Sequence, residues 1–214
     1  MRILKVNPEN LRESEEAIIE AAKTMLSGGT VVFPTDTVYG LGCDATNENA
    51  IRKVFKIKNR TSNKPLSIVV RDIDMAKKVA FVDRRLEKAL NIIWPGPITV
   101  ILFRRYKLPE ILAAGKQTIG LRIPDYKLTY ILSENMGRPY IATSANISNE
   151  PATTKISQAL EYFEKSYAKP DLILDAGDLN FSEPSTVLDL SVSKPKIVRI
   201  GPVGRKKLLE ILSV

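Results

Sequence analysis

Histidine is absent from all 214 residues. That removes Ser-His-Asp and Cys-His catalysis, paired-histidine zinc sites and imidazole proton shuttles. Cysteine occurs once, as Cys43, so an internal disulfide is excluded and a tightly held transition metal lacks its usual soft ligands. Without an imidazole to deprotonate it, Cys43 reads as a small, partly buried side chain rather than a nucleophile. Apolar runs fall far short of the ~20 residues that span a bilayer. The opening residues 1–8 have no signal-peptide core. A cytoplasmic protein with no membrane attachment is the default expectation. The chain also lacks a Walker A sequence, and Gly40-x-Gly42 lacks the later glycine of a dinucleotide fingerprint. Proton transfer is left to carboxylates, lysines, tyrosines, water or the substrate itself. Chemistry driven by positioning and charge neutralisation fits that inventory.

What is present is basic. Lys and Arg number 32 against 24 Asp and Glu, a net charge of +8. Such a balance favours anionic ligands such as a nucleotide, pyrophosphate or RNA, and a solvated basic surface without a partner fits it as well. The basic residues are not interleaved with aromatics as in a single-strand binding platform. At 44% hydrophobic and 26% charged the chain has the composition of a folded soluble protein. No linker divides it, so one domain over residues 1–214 is expected.

Periodicity supplies the elements. Helices are expected over residues 10–26, 48–58, 73–80, 84–94, 127–135, 155–167 and 205–212. Asn10 with Glu13 resembles a capping box, and Asn47 or Thr46 could cap the second helix. Strands are read around Ile3 and Lys5 and at 30–33, 66–70, 98–103, 118–125, 139–142, 172–174, 186–190 and 196–200. Strands and helices mix without a clean βαβ alternation. The expected fold is therefore a single α/β domain with an open, twisted, mixed sheet flanked by helices.

Two apolar runs break abruptly into small polar residues. One is Val31-Val32-Phe33-Pro34-Thr35-Asp36-Thr37-Val38-Tyr39-Gly40-Leu41-Gly42; the other is Ala142-Thr143-Ser144-Ala145-Asn146. In open α/β sheets such strand ends face a ligand crevice. Asp and Thr are also ordinary turn residues, but the two glycines let the backbone pass close to something. Between the runs, Lys58-x-Arg60 and Lys64 place three cations in a short loop suited to phosphate. A solvated basic turn at a helix end is the competing reading. Ser144 and Asn146 could cradle an anion or cap a helix.

These residues, in this order, resemble the YrdC-like family of threonylcarbamoyl-AMP synthases. The resemblance includes Pro95-Gly96-Pro97 with Thr99, Gly120-Leu121-Arg122-Ile123-Pro124, Ser185-Thr186-Val187-Leu188-Asp189 and Val198-Arg199-Ile200-Gly201. It implies a YrdC-like fold with a basic concave cleft. It also implies a reaction, in which L-threonine, bicarbonate or CO2, and ATP give threonylcarbamoyl-AMP and pyrophosphate for tRNA threonylcarbamoyladenosine modification. By position, Lys58, Arg60, Lys64, Thr118, Ser144, Asn146 and Arg199 are the implied ATP-binding residues. Thr35, Thr37, Tyr39, Arg122 and Ser185 are the implied threonine-binding residues, with Arg122 facing the carboxylate. Mg2+ is the implied cofactor, held mainly by ATP and water rather than by protein ligands. The implied partners are tRNA or double-stranded RNA, and the proteins that transfer threonylcarbamoyl to tRNA. An RNA-binding module or a nucleotide-binding accessory subunit of the same fold is the alternative. Longer members of the family add a C-terminal domain, which a chain ending at Val214 is expected to lack. One departure stands out. Relatives carry a histidine soon after Lys-Pro-Leu, where this chain reads Ser67-Ile68-Val69-Val70. Either Ser67 or water substitutes, or the amino-acid pocket is arranged differently.

Overall fold

The computed structural model describes residues 1–105 and 107–212. In chain order the first elements are β1 (Arg2–Lys5), α1 (Leu11–Leu26), β2 (Val31–Phe33), β3 (Gly40–Gly42), α2 (Glu48–Ile57) and β4 (Ile68–Val69). The middle of the chain forms α3 (Ile73–Val79), α4 (Arg84–Ile93), β5 (Ile98–Phe103), α5 (Glu110–Ala113), β6 (Thr118–Arg122) and α6 (Lys127–Met136). Then follow β7 (Tyr140–Ile141), β8 (Thr143–Ser144), α7 (Ile156–Glu164), β9 (Leu172–Asp175), β10 (Thr186–Asp189), β11 (Lys196–Arg199) and α8 (Arg205–Leu212).

Helix α1 buries Ser14, Ile18, Ala21, Ala22 and Met25, a stripe at one-turn spacing. The capping-box reading at its start does not hold, because Asn10 gives the helix no side-chain acceptor. Its amide donates to Glu13 Oε1 at 2.6 Å instead. The turn before the helix is held by Asn7, whose Oδ1 accepts from the backbone N–H of Glu9 and Asn10. At α2 the expected cap forms, with Asn47 Oδ1 accepting from Ala50 N at 3.1 Å.

The mixed α/β class holds, but the strands divide between two sheets instead of forming one. The first runs β1-β9-β2-β3-β8 and the second β11-β10-β5-β6-β4-β7. Both mix parallel and antiparallel pairs. The split follows from one segment that serves both. Residues 140–141 pair with β4 in the second sheet, and residues 143–144 pair with β3 in the first. Where the sheets meet, Ile141 N donates to Cys43 O at 2.8 Å. Gly42 is what permits that crossing, since a Cβ there would lie 2.0 Å from the Ile141 carbonyl oxygen. The close approach at Gly42 is thus to the protein's own backbone, and that at Gly40 is to the Phe33 ring. Helices α1 and α6 cover one face of the first sheet through Ile18, Met25, Leu128, Leu132 and Met136. A larger core joins α2, α3 and α4 to the second sheet. Among the described residues no helix is long and apolar enough to cross a membrane.

Candidate functional site

A cavity of about 200 Å3 opens where the two sheets meet. Its first wall is the β2–β3 connection, with Thr35, Thr37, Val38, Tyr39 and Gly40. Arg60 and the stretch from Pro65 to Val69 form the second wall. Thr99 on β5, Arg122 on β6, Val187 on β10 and Arg199 on β11 reach it from the second sheet, along with Ser185. Ala142, Thr143 and Ser144 close it where the chain changes sheets.

Thr35 and Thr37 organise the wall as a polar turn. Thr35 Oγ1 donates to Val38 O at 2.7 Å and accepts from Thr37 N at 3.1 Å. Thr37 Oγ1 in turn accepts from Arg122 Nη1 at 3.0 Å. The guanidinium is fixed on two further sides. Nε donates to Gly96 O at 3.0 Å, and Nη2 to Asp36 Oδ1 at 2.6 Å. Among the described residues three of the five guanidinium N–H groups are engaged, leaving two for a ligand. Burial draws the Arg122 pKa down, and the Asp36 carboxylate works against that. Asp36 Oδ2 also accepts from Asp125 N, so this carboxylate ties the wall to the end of β6. Its importance was hidden in the sequence behind the turn chemistry of Thr-Asp-Thr.

Arg60 enters from the other side. One Nη2 proton goes to Pro65 O at 2.8 Å, while Nε is sealed from water with no acceptor among the described residues. A buried donor without a partner is costly; the Nη groups of Arg60 that Pro65 O leaves open face the cavity, where an anionic ligand can meet them. Across the cavity, Arg199 Nη2 donates to Ser185 O at 2.7 Å and to Ser185 Oγ at 3.3 Å. Ser185 Oγ lies 2.8 Å from Thr99 Oγ1. Thr99, named in the sequence only as part of the Pro-Gly-Pro motif and with no role, is therefore part of the site.

Lys58 is different. It is 2% exposed, and its ammonium donates to Ser144 O, Asn146 O and Asn146 Oδ1 at 2.5, 2.8 and 2.8 Å. Three protons meet three acceptors, so the side chain is spent on holding the segment 144–146 in place. Burial, with the Arg60 charge nearby, pushes the Lys58 ammonium down to about 7. Ser144 Oγ closes the knot by donating to Asn146 Oδ1 at 2.6 Å, and Asn146 Nδ2 donates to Glu150 O.

Of the residues expected at the site, Thr35, Thr37, Tyr39, Arg60, Arg122, Ser144, Ser185 and Arg199 line the cavity. Lys58 and Asn146 stand behind it. Lys64 is exposed on the loop beside Arg60. Thr118 lies on β6 at the same alternation as Gly120 and Arg122, four residues from the latter. Tyr39 contributes its ring and not its hydroxyl, which donates to Gly177 O at 2.7 Å and accepts from Ala176 N. Burial raises both that phenol and the Cys43 thiol, and Cys43 is fully buried, so neither supplies an anion at neutral pH. The result is a small polar cavity with three arginines and several hydroxyls. It can bind and align anions without a protein nucleophile.

The sequence profile of the Sua5/YciO/YrdC family, described as "Telomere recombination", matches residues 23–201. A relative from Methanocaldococcus jannaschii is 37% identical over 207 residues, 97% of this chain and 96% of its own length. The threonylcarbamoyl-AMP synthase of Pyrococcus abyssi is 33% identical over 206 residues, 95% of this chain. This chain spans only 60% of that longer protein. The crystal structure of P. abyssi Sua5 complexed with L-threonine superposes with a TM-score of 0.91 at 32% identity. That match covers 99% of this chain and 61% of the other.

Proposed function

Since this chain belongs to the Sua5/YciO/YrdC family, we propose that it is an L-threonylcarbamoyladenylate synthase, a nucleotidyltransferase acting on L-threonine, bicarbonate or CO2, and ATP. The observation that carries this reading is the convergence of Arg60, Arg122 and Arg199 on one small cavity that also presents hydroxyls. Two anions meeting there need the charge neutralisation these guanidiniums supply. The L-threonine held by a 32% identical relative adds an amino acid to the list of ligands that fit.

Each residue then has a task. The two open N–H groups of Arg122 take the amino-acid carboxylate, while Thr37, Asp36 and Gly96 O keep the guanidinium from turning. The Nη groups of Arg60 that Pro65 O leaves open and the exposed Arg199 receive phosphate oxygens, and the Lys58-braced segment 144–146 holds the Ser144 end of the cavity in register. The threonine amine adds to CO2, losing a proton to solvent and giving a carbamate. One carbamate oxygen attacks the α-phosphorus of ATP, and pyrophosphate leaves. If bicarbonate is the source, its hydroxyl leaves as water with the amine proton, and no proton is released to solvent. No imidazole or covalent enzyme intermediate enters this sequence, which is why a chain without histidine can perform it. The rate comes from alignment and from electrostatic support of the leaving group.

Mg2+ would arrive on the triphosphate and neutralise its charge. The cavity suits that arrangement because its donors are hydroxyls and cations, and no three His, Cys, Asp or Glu come together among the described residues. The product is an activated acyl donor, and its consumer is an enzyme that transfers threonylcarbamoyl to tRNA. A shape-reading RNA module would need phosphate contacts spread along a face, not side chains converging on a small cavity. The test is pyrophosphate release from ATP in Mg2+ buffer. Release should require both L-threonine and bicarbonate; release indifferent to either one would overturn the assignment.

A further inference from the structure

Most hydroxyls of the cavity are already engaged. Thr35, Thr37, Thr99, Ser144 and Ser185 all bond to protein atoms. Ser67 Oγ is not, and neither is Thr143 Oγ1, among the described residues. Ser67 stands out for its position. It immediately precedes β4, so its side chain shares a face with that of Val69, and both line the cavity. β4 runs parallel to β6, with Val69 beside Arg122 and Ile68 beside Leu121. The same register sets Ser67 beside Gly120. That glycine makes room for the hydroxyl, since a Cβ at position 120 would lie 2.7 Å from Ser67 Oγ and 3.3 Å from a Thr99 methyl.

One short row leading into β4 therefore offers a free hydroxyl and a buried branched apolar group, next to the guanidinium that takes the carboxylate. That pair complements a β-carbon bearing one hydroxyl and one methyl. Resting on the synthase reading above, we infer that Ser67 is a specificity-determining residue, hydrogen-bonding the β-hydroxyl of the amino-acid substrate while Val69 packs against its β-methyl. A polar partner discriminates against an isostere lacking the hydroxyl, because the isostere leaves that partner unpaired, whereas apolar packing alone separates the two weakly. Gly120 acts through Ser67 by giving its hydroxyl the space it occupies.

The experiment compares kcat/KM for pyrophosphate release with L-threonine and with L-valine, which replaces the hydroxyl by a methyl. Ser67→Ala should lower the threonine-to-valine ratio about 10-fold, the loss expected of one hydrogen bond, with the KM for ATP unchanged. Gly120→Ala, which displaces the hydroxyl without removing it, should lower the ratio in the same direction. The double variant should show no further loss, because both changes remove one interaction. Thr143→Val should leave the ratio as it is. An unchanged ratio in Ser67→Ala, an equal loss for both amino acids, or a loss confined to Thr143→Val overturns the inference. If the wild-type protein releases no pyrophosphate with any amino acid, the synthase reading falls. Calorimetric affinities of L-threonine and L-valine for wild type and Ser67→Ala then decide the role of Ser67, and wild-type protein that binds neither ends both proposals.

Discussion

Lys58 and Arg60 leave the end of α2 two residues apart, one with three acceptors around a buried ammonium, the other with Nε facing no acceptor. Both carry a positive charge, and in the sequence both read as phosphate ligands. Their surroundings give them opposite work. The Lys58 charge is consumed by the carbonyls of Ser144 and Asn146, so it shapes the cavity from behind. The Arg60 charge is only partly consumed, by Pro65 O, so it remains available to an anion. A cation in a binding motif therefore reads as a ligand group only after its hydrogen bonds have been counted.

Four substitutions or titrations separate the two roles, in descending size of effect. Arg60→Ala should cut threonine-dependent pyrophosphate release by about 100- to 1000-fold, the scale for losing one group that supports transition-state charge. Its thermal midpoint should stay near that of wild type, since one carbonyl contact is lost and an unpartnered donor goes with it. A sharp fall in the midpoint would move Arg60 into the structural class. Lys58→Met should do the reverse, costing about 2–3 kcal/mol in urea unfolding, because it strips donors from Ser144 O and Asn146 O in a sealed setting. A variant as stable as wild type but inactive would make Lys58 a ligand group after all.

The third is a pH dependence. In the unfolded chain the lysine titrates near its ordinary value of about 10.4, while in the fold it lies at about 7. Between these values the unfolded chain binds more protons. Stability of wild type relative to Lys58→Met should therefore rise with pH from about 7 toward 10, by up to ~1.4 kcal/mol per unit. Below pH 7 the difference should be flat. Denaturant curves of both proteins at pH 6, 7, 8 and 9 check the sign; a difference that stays flat from pH 7 to 9 would mean the three acceptors hold the amine charged throughout. The smallest effect is expected at Ser144→Ala, about 0.5–1 kcal/mol, since Asn146 Oδ1 keeps Lys58 as a donor.

The same contrast explains what was legible in the sequence. Helix α1 and strand β5 could be read because periodicity is local, and β5 has the bounds expected, Ile98–Phe103. β3 is absent from the expected strands, since nothing local marks Gly40–Gly42 as one; its glycines answer to the Phe33 ring and the Ile141 carbonyl. The division into two sheets was equally invisible. It depends on β1 pairing with β9 and on residues 140–144 serving both sheets. The site followed the same rule. Residue types and motif order pointed to Arg60, Arg122, Ser185 and Arg199, all of which reach the cavity. The roles of Lys58, Asp36 and Thr99 depend on partners 86 residues or more away in the chain. No spacing rule within a motif carries that information.

The central claim is that this cavity joins a carbamate made from threonine to the adenylate of ATP. Incubating the protein with ATP, Mg2+, L-threonine and 13C-bicarbonate, followed by mass spectrometry of the nucleotide fraction, tests it directly. The account predicts an adenylate carrying both threonine and one 13C carbon, absent when threonine is omitted and lost in Arg60→Ala. AMP or ADP without the labelled adduct, or an adduct that forms equally without threonine, would contradict it.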